Sequence, residues 1–199
     1  MLVLSILILS IPRRIDKMKL LYEKLCSQIG NAEVEVLTLL DNKKRLIGEK
    51  RNNLLNIANG EYLTYIDDDD DVSNDYIKSI LNGIEQGKLA YTGGADVITI
   101  NERATINGGS PFIVSTGIEN KIEPVRCVKG VYLDIKRPPW HWCVWRSSIA
   151  KSEVFPVSSW GEDRKWCEKL WPKIKSQFKI EKVLRYYTYD KNISEAPKQ

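Results

Sequence analysis

The segment YLTYIDDDDD, from Tyr62 to Asp71, carries the clearest structural signal in the chain. Its first five residues are apolar, aromatic or β-branched and predict a buried strand. Its last five are carboxylates, and two such charges about 4 Å apart repel by roughly 4 kcal/mol at an effective dielectric constant of about 20. A hard divalent cation would offset this repulsion, because Mg²⁺, Mn²⁺ and Ca²⁺ prefer carboxylate oxygens. The stretch therefore predicts a strand that ends in a metal site.

Strand and helix patterns alternate on both sides of this stretch, up to about residue 86. Strands are predicted at residues 2–9, 33–40 and 61–66, and helices at residues 14–29, 47–58 and 74–85. This order is typical of a mostly parallel sheet with right-handed crossovers. Ligands of such sheets bind beyond the carboxyl ends of the strands, where the aspartates lie. Residues 2–9 lack the flanks of a signal peptide and are too short to cross a bilayer, so no membrane anchor is expected.

The second half of the chain has a less regular pattern. Short β-like segments at residues 96–101, 111–115 and 125–133 are separated by glycine and asparagine turn signals. A short helix is predicted at residues 162–170. All six tryptophans fall between Trp140 and Trp171. We interpret this half as the continuation of one domain.

The composition excludes several classes of protein. The chain has 199 residues, of which 43% are apolar, so it can build a packed core. Its net charge of +4 suits an anionic partner such as a nucleotide, but no basic block marks a nucleic-acid-binding arm. Four cysteines without a C-x-x-C pair, and a single histidine, argue against a structural zinc site. Free thiols are typical of a reducing cytosol, so a cytoplasmic location is expected.

Several phosphate- and metal-binding motifs are missing from the sequence. It contains neither the P-loop pattern nor a G-x-G-x-x-G after the first strand. The aspartates are not an EF-hand, because Val72 and Lys78 replace its glycine and its glutamate. One alternative is a solvated acidic turn, in which Asp71, Ser73 and Asp75 cap the next helix. For the inner aspartates we favour a metal that is bound by one or two carboxylates and completed by substrate phosphates.

Five motifs follow one another along most of the chain: LSILILSIPR at residues 4–13, IGEKRNNLL at 47–55, ANGEY at 58–62, the strand with Asp-x-Asp and then SNDY at 73–76, and WGEDRKW at 160–166. In this order they resemble the motifs of the family 2 glycosyltransferases of the GT-A fold. The resemblance implies an α/β fold, a GT-A type Rossmann-like three-layer sandwich with a mostly parallel central sheet. It also implies one domain over residues 1–199, with a nucleotide-sugar-binding half at 1–86 and an acceptor-binding and catalytic-base half at 87–199.

The resemblance also implies a metal and a donor site. Aligning Tyr76 with the aromatic residue that follows the family motif makes Asp69 the best ligand of Mn²⁺ or Mg²⁺ and Asp67 a second or water-mediated one. The residues implied for the nucleotide-sugar donor are Ser10, Pro12, Arg13, Asp41, Lys50, Arg51, Asn52 and Asp68. The second strand departs from the family, because Asp41 stands alone where an acidic pair is usual. The alternative for the three basic residues is ordinary surface charge.

The last motif implies the catalytic base. Asp163 is expected to take the proton of the acceptor hydroxyl, and Glu162 to hold either Asp163 or the acceptor. The alternative for this pair is capping of the helix that begins there. Trp140, His141 and Trp160 are expected to bind the acceptor, since flat aromatic faces suit sugars or nucleobases. His141 could instead bind phosphate or metal, and the alternative for all three residues is a place in the core. The remaining tryptophans are expected in the core.

The predicted function is metal-dependent, inverting transfer of a sugar from a nucleotide-sugar, expected to be a UDP-sugar. The acceptor hydroxyl could belong to a glycan, a protein or a hydroxymethylated DNA base. One alternative is a sugar-phosphate nucleotidyltransferase, although residues 10–14 are not the glycine-rich loop of such enzymes. Another is a non-enzymatic cation- or glycan-binding module, which would leave residues 50–52 and 162–163 unexplained.

Overall fold

The structure is a computed structural model that describes residues 2–190. Its first elements are β1 (Leu4–Ser10), α1 (Ile15–Ile29), β2 (Val34–Leu40), α2 (Ile47–Ile57), β3 (Tyr62–Asp67), β4 (Asp71–Val72) and α3 (Tyr76–Ala90). The later ones are β5 (Val97–Ile106), β6 (Phe112–Thr116), β7 (Cys127–Val128), β8 (Val131–Tyr132), β9 (Ile135–Arg137), β10 (Val144–Arg146), α4 (Ser147–Ala150), α5 (Glu162–Leu170) and β11 (Gln177–Tyr189). The alternating order predicted for the first half is confirmed, with boundaries shifted by a few residues.

The main sheet has the strand order β2-β1-β3-β10-β5-β11-β4. Strand β1 is parallel to both β2 and β3. Strand β10 is antiparallel to β3 and to β5, and β11 is parallel to β5. The long strands therefore point in one direction, and the mostly parallel α/β sheet that the sequence predicts is confirmed.

The centre of the core is β1, where Leu4, Ile6, Leu7 and Ile8 are fully buried. Consecutive residues of a strand point to opposite faces, so both faces of β1 are covered. Helix α1 contacts α3, and helix α2 contacts β1 and α5. Within the described residues, no helix combines the length and the apolar character needed to cross a membrane.

Two features of the second half differ from the sequence prediction. The segment expected at residues 125–133 is a hairpin of β7 and β8, and its turn is formed by Lys129 and Gly130 at φ values of 50° and 83°. Positive φ at both turn residues suits the twist of a hairpin. Strand β11 was not predicted, although it pairs with β5 along most of its length.

The start of α3 corrects the expectation about helix capping. Asp75 precedes the helix, but its side chain makes no capping hydrogen bond and instead accepts one from Ser79 Oγ at 3.0 Å. The N–H of Ile77 in the first turn is satisfied by Gln28 Oε1 of α1, at 3.1 Å. Asp71 lies in β4, which pairs with β11.

Gly48 on α2 lies directly against the loop that leads to α5. Its N–H donates to the carbonyl of Ser158 at 2.9 Å, and a Cβ at this position would overlap the carbonyl oxygen of Pro156. This contact fixes one wall of the site described below.

We expect Gly48→Ala to lower the free energy of unfolding by about 1–3 kcal/mol, because the added methyl group meets backbone that cannot rotate away. Urea denaturation measures the change. Asn56→Ala, on the exposed side of the same helix, is the control and should change stability by less than about 0.5 kcal/mol. Equal stability of Gly48→Ala and the wild type would show that the loop is not packed against α2.

Candidate active site

The aspartates lie at the carboxyl edge of the sheet, as the sequence predicts. Asp67 ends β3 and pairs in register with Leu9, so it lies beside the end of β1. Asp68 accepts hydrogen bonds from Ser10 Oγ at 2.7 Å and from Arg14 Nη1 at 2.8 Å. Arg14 Nη2 also lies 3.0 Å from Asp69 Oδ2. The end of β1 and the aspartate run are thus tied together by Ser10 and Arg14.

Asp67 is surrounded by cationic groups. Arg51 Nη2 donates to its Oδ1 at 3.1 Å, while His141 Nε2 and Arg185 Nη2 lie 3.5 and 3.6 Å from its Oδ2. Burial would raise the pKa of Asp67, but Arg51 and then His141 hold it well below its usual range. Asp67 is therefore ionised across the physiological pH range.

Asp69 and Asp70 have different surroundings. The side chain of Asp69 is 24% exposed, and burial and the charges of Asp67 and Asp68 raise its pKa despite Arg14. Asp70 is buried and accepts two hydrogen bonds from Arg185. Burial and the neighbouring carboxylates raise the pKa of Asp70 to about 7. Asp69 thus lies on the solvent side of the aspartate run, whereas Asp70 is buried and bound to Arg185.

His141 lies between Asp67 and the predicted base. Its Nδ1 is 3.4 Å from Asp163 Oδ2, and its Nε2 is 3.5 Å from Asp67 Oδ2. Both distances exceed a normal hydrogen bond, so the contacts are ionic. Burial and Arg51 would lower the pKa of His141, but the two carboxylates raise it to about 9. At neutral pH a buried imidazolium therefore bridges the aspartate run and Asp163.

Asp163 lies in the first turn of α5. Its Oδ2 accepts a hydrogen bond from Trp140 Nε1 at 3.1 Å, and its Oδ1 accepts one from the N–H of Arg164 at 2.7 Å. Burial would raise the pKa of Asp163, but the contact with His141 holds it below its usual range. Asp163 is therefore a fixed, ionised carboxylate.

Glu162 has a different role from the one expected. It is 5% exposed and accepts a hydrogen bond from Arg51 Nε at 3.2 Å. Arg51 is also held through its backbone carbonyl by the hydroxyl of Tyr65, at 2.8 Å. Glu162 therefore positions Arg51 against Asp67, and the structure shows no bond from it to Asp163.

A cavity of about 900 Å³ opens at this edge of the sheet. Its lining includes the predicted donor residues Ser10, Lys50, Arg51 and Asp68, together with the predicted metal ligands. Pro12 and Arg13 are exposed and lie outside this lining, while Arg14 is part of it. Arg13 was expected at the donor site, but the turn of Pro12–Arg14 directs the next residue, Arg14, to the aspartates.

Two further residues predicted to bind the nucleotide-sugar, Asp41 and Asn52, contact other parts of the protein instead. Asp41 is buried and pairs with Arg45 at 3.0 Å and with Lys50 at 3.9 Å. The amide of Asn52 donates to the carbonyl of Phe155 and accepts from its N–H. Asn52 therefore holds the loop before α5, and neither residue lines the cavity.

A second cavity of about 330 Å³ lies on the other side of Asp163. Trp140 and His141, two of the predicted acceptor residues, line it. Trp160 is 66% exposed and lines the larger cavity and not the smaller one, so its contact with the acceptor stays a prediction. The tryptophans expected in the core are Trp142, Trp145 and Trp166, all buried, and Trp171, which is packed against the core.

The two cavities share Asp67, Trp140 and Asp163. These three side chains form the wall that the two cavities have in common. The predicted metal ligand Asp67 and the predicted base Asp163 therefore lie where the two cavities adjoin.

Sequence reasoning missed Arg185. This residue of β11 lies at 4% exposure between the rings of Trp142 and Tyr187, each 5.3 Å from its guanidinium carbon. It pairs with Asp70 and Glu102. Arg185 was missed because strand β11 was not predicted, and it is the pairing of β11 with β5 that brings Arg185 next to Asp67 and Asp70.

The donor atoms at the junction fit a hard divalent cation. Asp69 presents a partly exposed carboxylate beside the ionised Asp67, and the repulsion between them is what a cation would relieve. Between residues 2 and 190, no group of three or more Asp, Glu, His or Cys side chains forms a complete metal site. Asp67 and Asp69 are therefore the two carboxylates that would hold Mg²⁺ or Mn²⁺ if substrate phosphates completed the coordination.

The sequence model of the family described as Glycosyl transferase family 2 matches residues 22–127, which is more than half of the chain. The chain therefore belongs to this family. No curated protein sequence matches it.

Solved structures of S. aureus TarS share the fold. The crystal structure of TarS residues 1–349 aligns with a TM-score of 0.62 at 15% identity, covering 94% of this chain and 60% of that one. The complex of the same fragment with UDP-GlcNAc aligns with a TM-score of 0.63 at 14% identity, covering 96% and 59%. The complex of that fragment with UDP aligns with a TM-score of 0.62 at 14% identity, covering 95% of this chain and 61% of that one. The chain thus spans about 60% of the length of these fragments, and the GT-A fold expected from the sequence is confirmed.

Proposed function

We propose that this protein transfers a sugar from a nucleotide-sugar donor to an acceptor hydroxyl, with inversion at the anomeric carbon. The observation that carries the proposal is the junction of two cavities at Asp67, Trp140 and Asp163. Membership of the family supports it, as does the fold shared with a protein that was crystallised with UDP-GlcNAc. A UDP-sugar is therefore the donor we expect.

The larger cavity has the charges that a nucleotide diphosphate needs. Arg14, Arg45 and Lys50 line it, with Arg14 paired to Asp68 and Asp69 and the other two paired to Asp41. Arginine and lysine are the usual partners of phosphate oxygens. A divalent cation held by Asp69 and Asp67, which we expect to be Mn²⁺ or Mg²⁺, would stabilise the charge that develops on the departing diphosphate.

The smaller cavity would present the acceptor to Asp163. The carboxylate of Asp163 is ionised, and Trp140 donates a hydrogen bond to its Oδ2. This oxygen is therefore fixed where both cavities meet. The acceptor hydroxyl has a high pKa and gives up its proton as it attacks, when a positioned carboxylate can accept it. Attack from the smaller cavity on a sugar whose leaving group lies in the larger one is a single displacement, which inverts the configuration.

The product distinguishes this function from its alternatives. A glycosyltransferase releases free UDP from a UDP-sugar in the presence of Mn²⁺, whereas a nucleotidyltransferase makes a nucleotide-sugar and a binding module releases nothing. Acceptor glycans, peptides and DNA with hydroxymethylated bases can be compared in the same assay. Failure to release UDP with any of these acceptors would count against the proposal.

We expect Asp69→Asn to weaken Mn²⁺-dependent binding of UDP by at least about tenfold, because the amide oxygen is a poorer ligand than a carboxylate. A thermal-shift titration with UDP, with and without Mn²⁺, measures the effect through the stabilisation that a bound ligand gives. Asp71→Asn is the matched control, since Asp71 is exposed and pairs with Lys24. Equal Mn²⁺ dependence in both variants would remove Asp69 from the metal site.

A further inference from the structure

Arg137 in β9 is a cationic residue at the smaller cavity that the proposed function does not use. Its backbone is fixed, because its carbonyl accepts hydrogen bonds from the N–H of Gly117 at 3.1 Å and from the amide of Asn120 at 3.2 Å. Its side chain is one of those that line the cavity. The backbone that carries this side chain therefore belongs to the sheet and not to a loop.

The charge of Arg137 is not matched by the protein. Among residues 2–190, no carboxylate lies within ion-pairing distance of its guanidinium, and its buried Nε has no hydrogen-bond partner. The other cavity arginine, Arg185, is paired with Glu102 and Asp70. Burial lowers the pKa of Arg137 more than the charges of Tyr187 and Asp163 raise it, in keeping with a cation that is partly removed from water and has no ion pair at contact distance.

Arg137 and the predicted base are linked through Trp140. The guanidinium carbon of Arg137 lies 5.4 Å from the centroid of the Trp140 ring, and the N–H of that ring donates to Asp163. A molecule whose hydroxyl lies on Asp163 therefore has the guanidinium as a near neighbour. The cavity walls add aromatic and apolar surface from Phe112, Trp142 and Tyr187, which suits a sugar ring.

We infer that the acceptor carries an oxyanion, either a phosphate or a carboxylate, that Arg137 binds while the acceptor hydroxyl lies at Asp163. An oxyanion supplies the charge and the paired acceptor oxygens that the planar guanidinium lacks. A neutral hydroxyl supplies one hydrogen bond and leaves a partly buried charge uncompensated. The nearby carboxylates do not repel the ligand strongly, because Asp67 and Asp163 share His141 and Glu102 is paired with Arg185. This inference rests on the proposed function, since it assigns the smaller cavity to the acceptor.

The test measures binding next to Trp140 with three related probes: glucose, glucose 6-phosphate and glucuronate. The protein is first saturated with UDP and Mg²⁺, so that phosphate cannot bind in the larger cavity. The indole N–H signal of Trp140, assigned with Trp140→Phe, is followed by ¹⁵N NMR during each titration. We expect one or both anions to shift this signal saturably, with a dissociation constant at least about tenfold lower than that of glucose.

Variants connect the effect to the guanidinium. Arg137→Gln should remove the preference for the anions, and Arg137→Lys should retain part of it. The matched control is Arg103→Gln, because Arg103 is also stacked on a ring, that of Tyr186 at 5.3 Å, but is exposed and outside the cavity. The ratio of the dissociation constants of glucose 6-phosphate and glucuronate shows whether the site prefers a phosphate or a carboxylate.

Three results would overturn the inference: equal binding of glucose and both anions, no shift with either anion, or an unchanged preference in Arg137→Gln. Failure of the proposed function gives a different result. In that case UDP and Mg²⁺ do not stabilise the protein in a thermal-shift experiment, whereas the anion titration at Trp140 can still succeed.

Discussion

Asp163→Asn should lower the rate of sugar transfer by about 10²–10⁴-fold while leaving the affinity for UDP and Mn²⁺ unchanged. The range is that of a general base removed from a transfer reaction. The asparagine oxygen can still accept the hydrogen bond from Trp140, so the loop and helix α5 keep their geometry. Release of UDP from the donor in the presence of acceptor measures the rate, and a thermal shift with UDP measures donor binding.

Glu168→Gln is the control for this variant. Glu168 lies on the same helix and lines the larger cavity, but it is exposed and paired with Arg164. It should keep transfer within about threefold of the wild type. If Asp163→Asn turned over at the wild-type rate, the base would have to be another group, and the junction of the two cavities would lose its assigned chemistry.

Arg185→Met should lower the free energy of unfolding by about 3–5 kcal/mol, because it leaves buried carboxylates without their partner. Arg185 pairs with Asp70 and Glu102 at 4% exposure, and both of these side chains are themselves buried. Methionine keeps much of the volume between Trp142 and Tyr187, so the loss of charge is the main change. Urea denaturation measures the effect.

A compensating variant separates charge from packing. Arg185→Met combined with Asp70→Asn and Glu102→Gln removes the unpaired charges and should recover part of the lost stability. Arg103→Gln, at an exposed position of β5, should cost less than about 0.5 kcal/mol. A loss in Arg185→Met no larger than in this control would mean that the network does not support the aspartates.

The first half of the fold could be predicted because its signals are local. Strands such as β1 are continuous apolar runs, and α1 and α3 carry apolar residues at helical spacing. Strand β11 also carries a local signal, because Phe178 and Ile180 alternate with Lys179 and Glu181, but the sequence prediction did not use it. Its register with β5 shifts between Lys179 and Val183. Its stability as a strand comes from pairing with β5, which is distant in the sequence.

The candidate site was predictable where a motif carried it. Asp67, Asp69 and Asp163 were identified from the sequence, and the structure places all three in the lining of the larger cavity. The bridge by His141 could not be predicted, because it depends on β3, α5 and the segment before β10 meeting in space. Arg14 was missed by one position, because the direction of a side chain in a short turn is not visible in sequence spacing.

The central claim is that the aspartates bind a cation that holds the diphosphate of a nucleotide-sugar next to Asp163. A crystal grown with UDP and Mn²⁺ tests it most directly, because manganese can be located by its anomalous scattering. We expect the manganese peak on Asp69 and the diphosphate in the cavity of about 900 Å³. A manganese peak away from residues 67–69, or UDP in the smaller cavity, would contradict it.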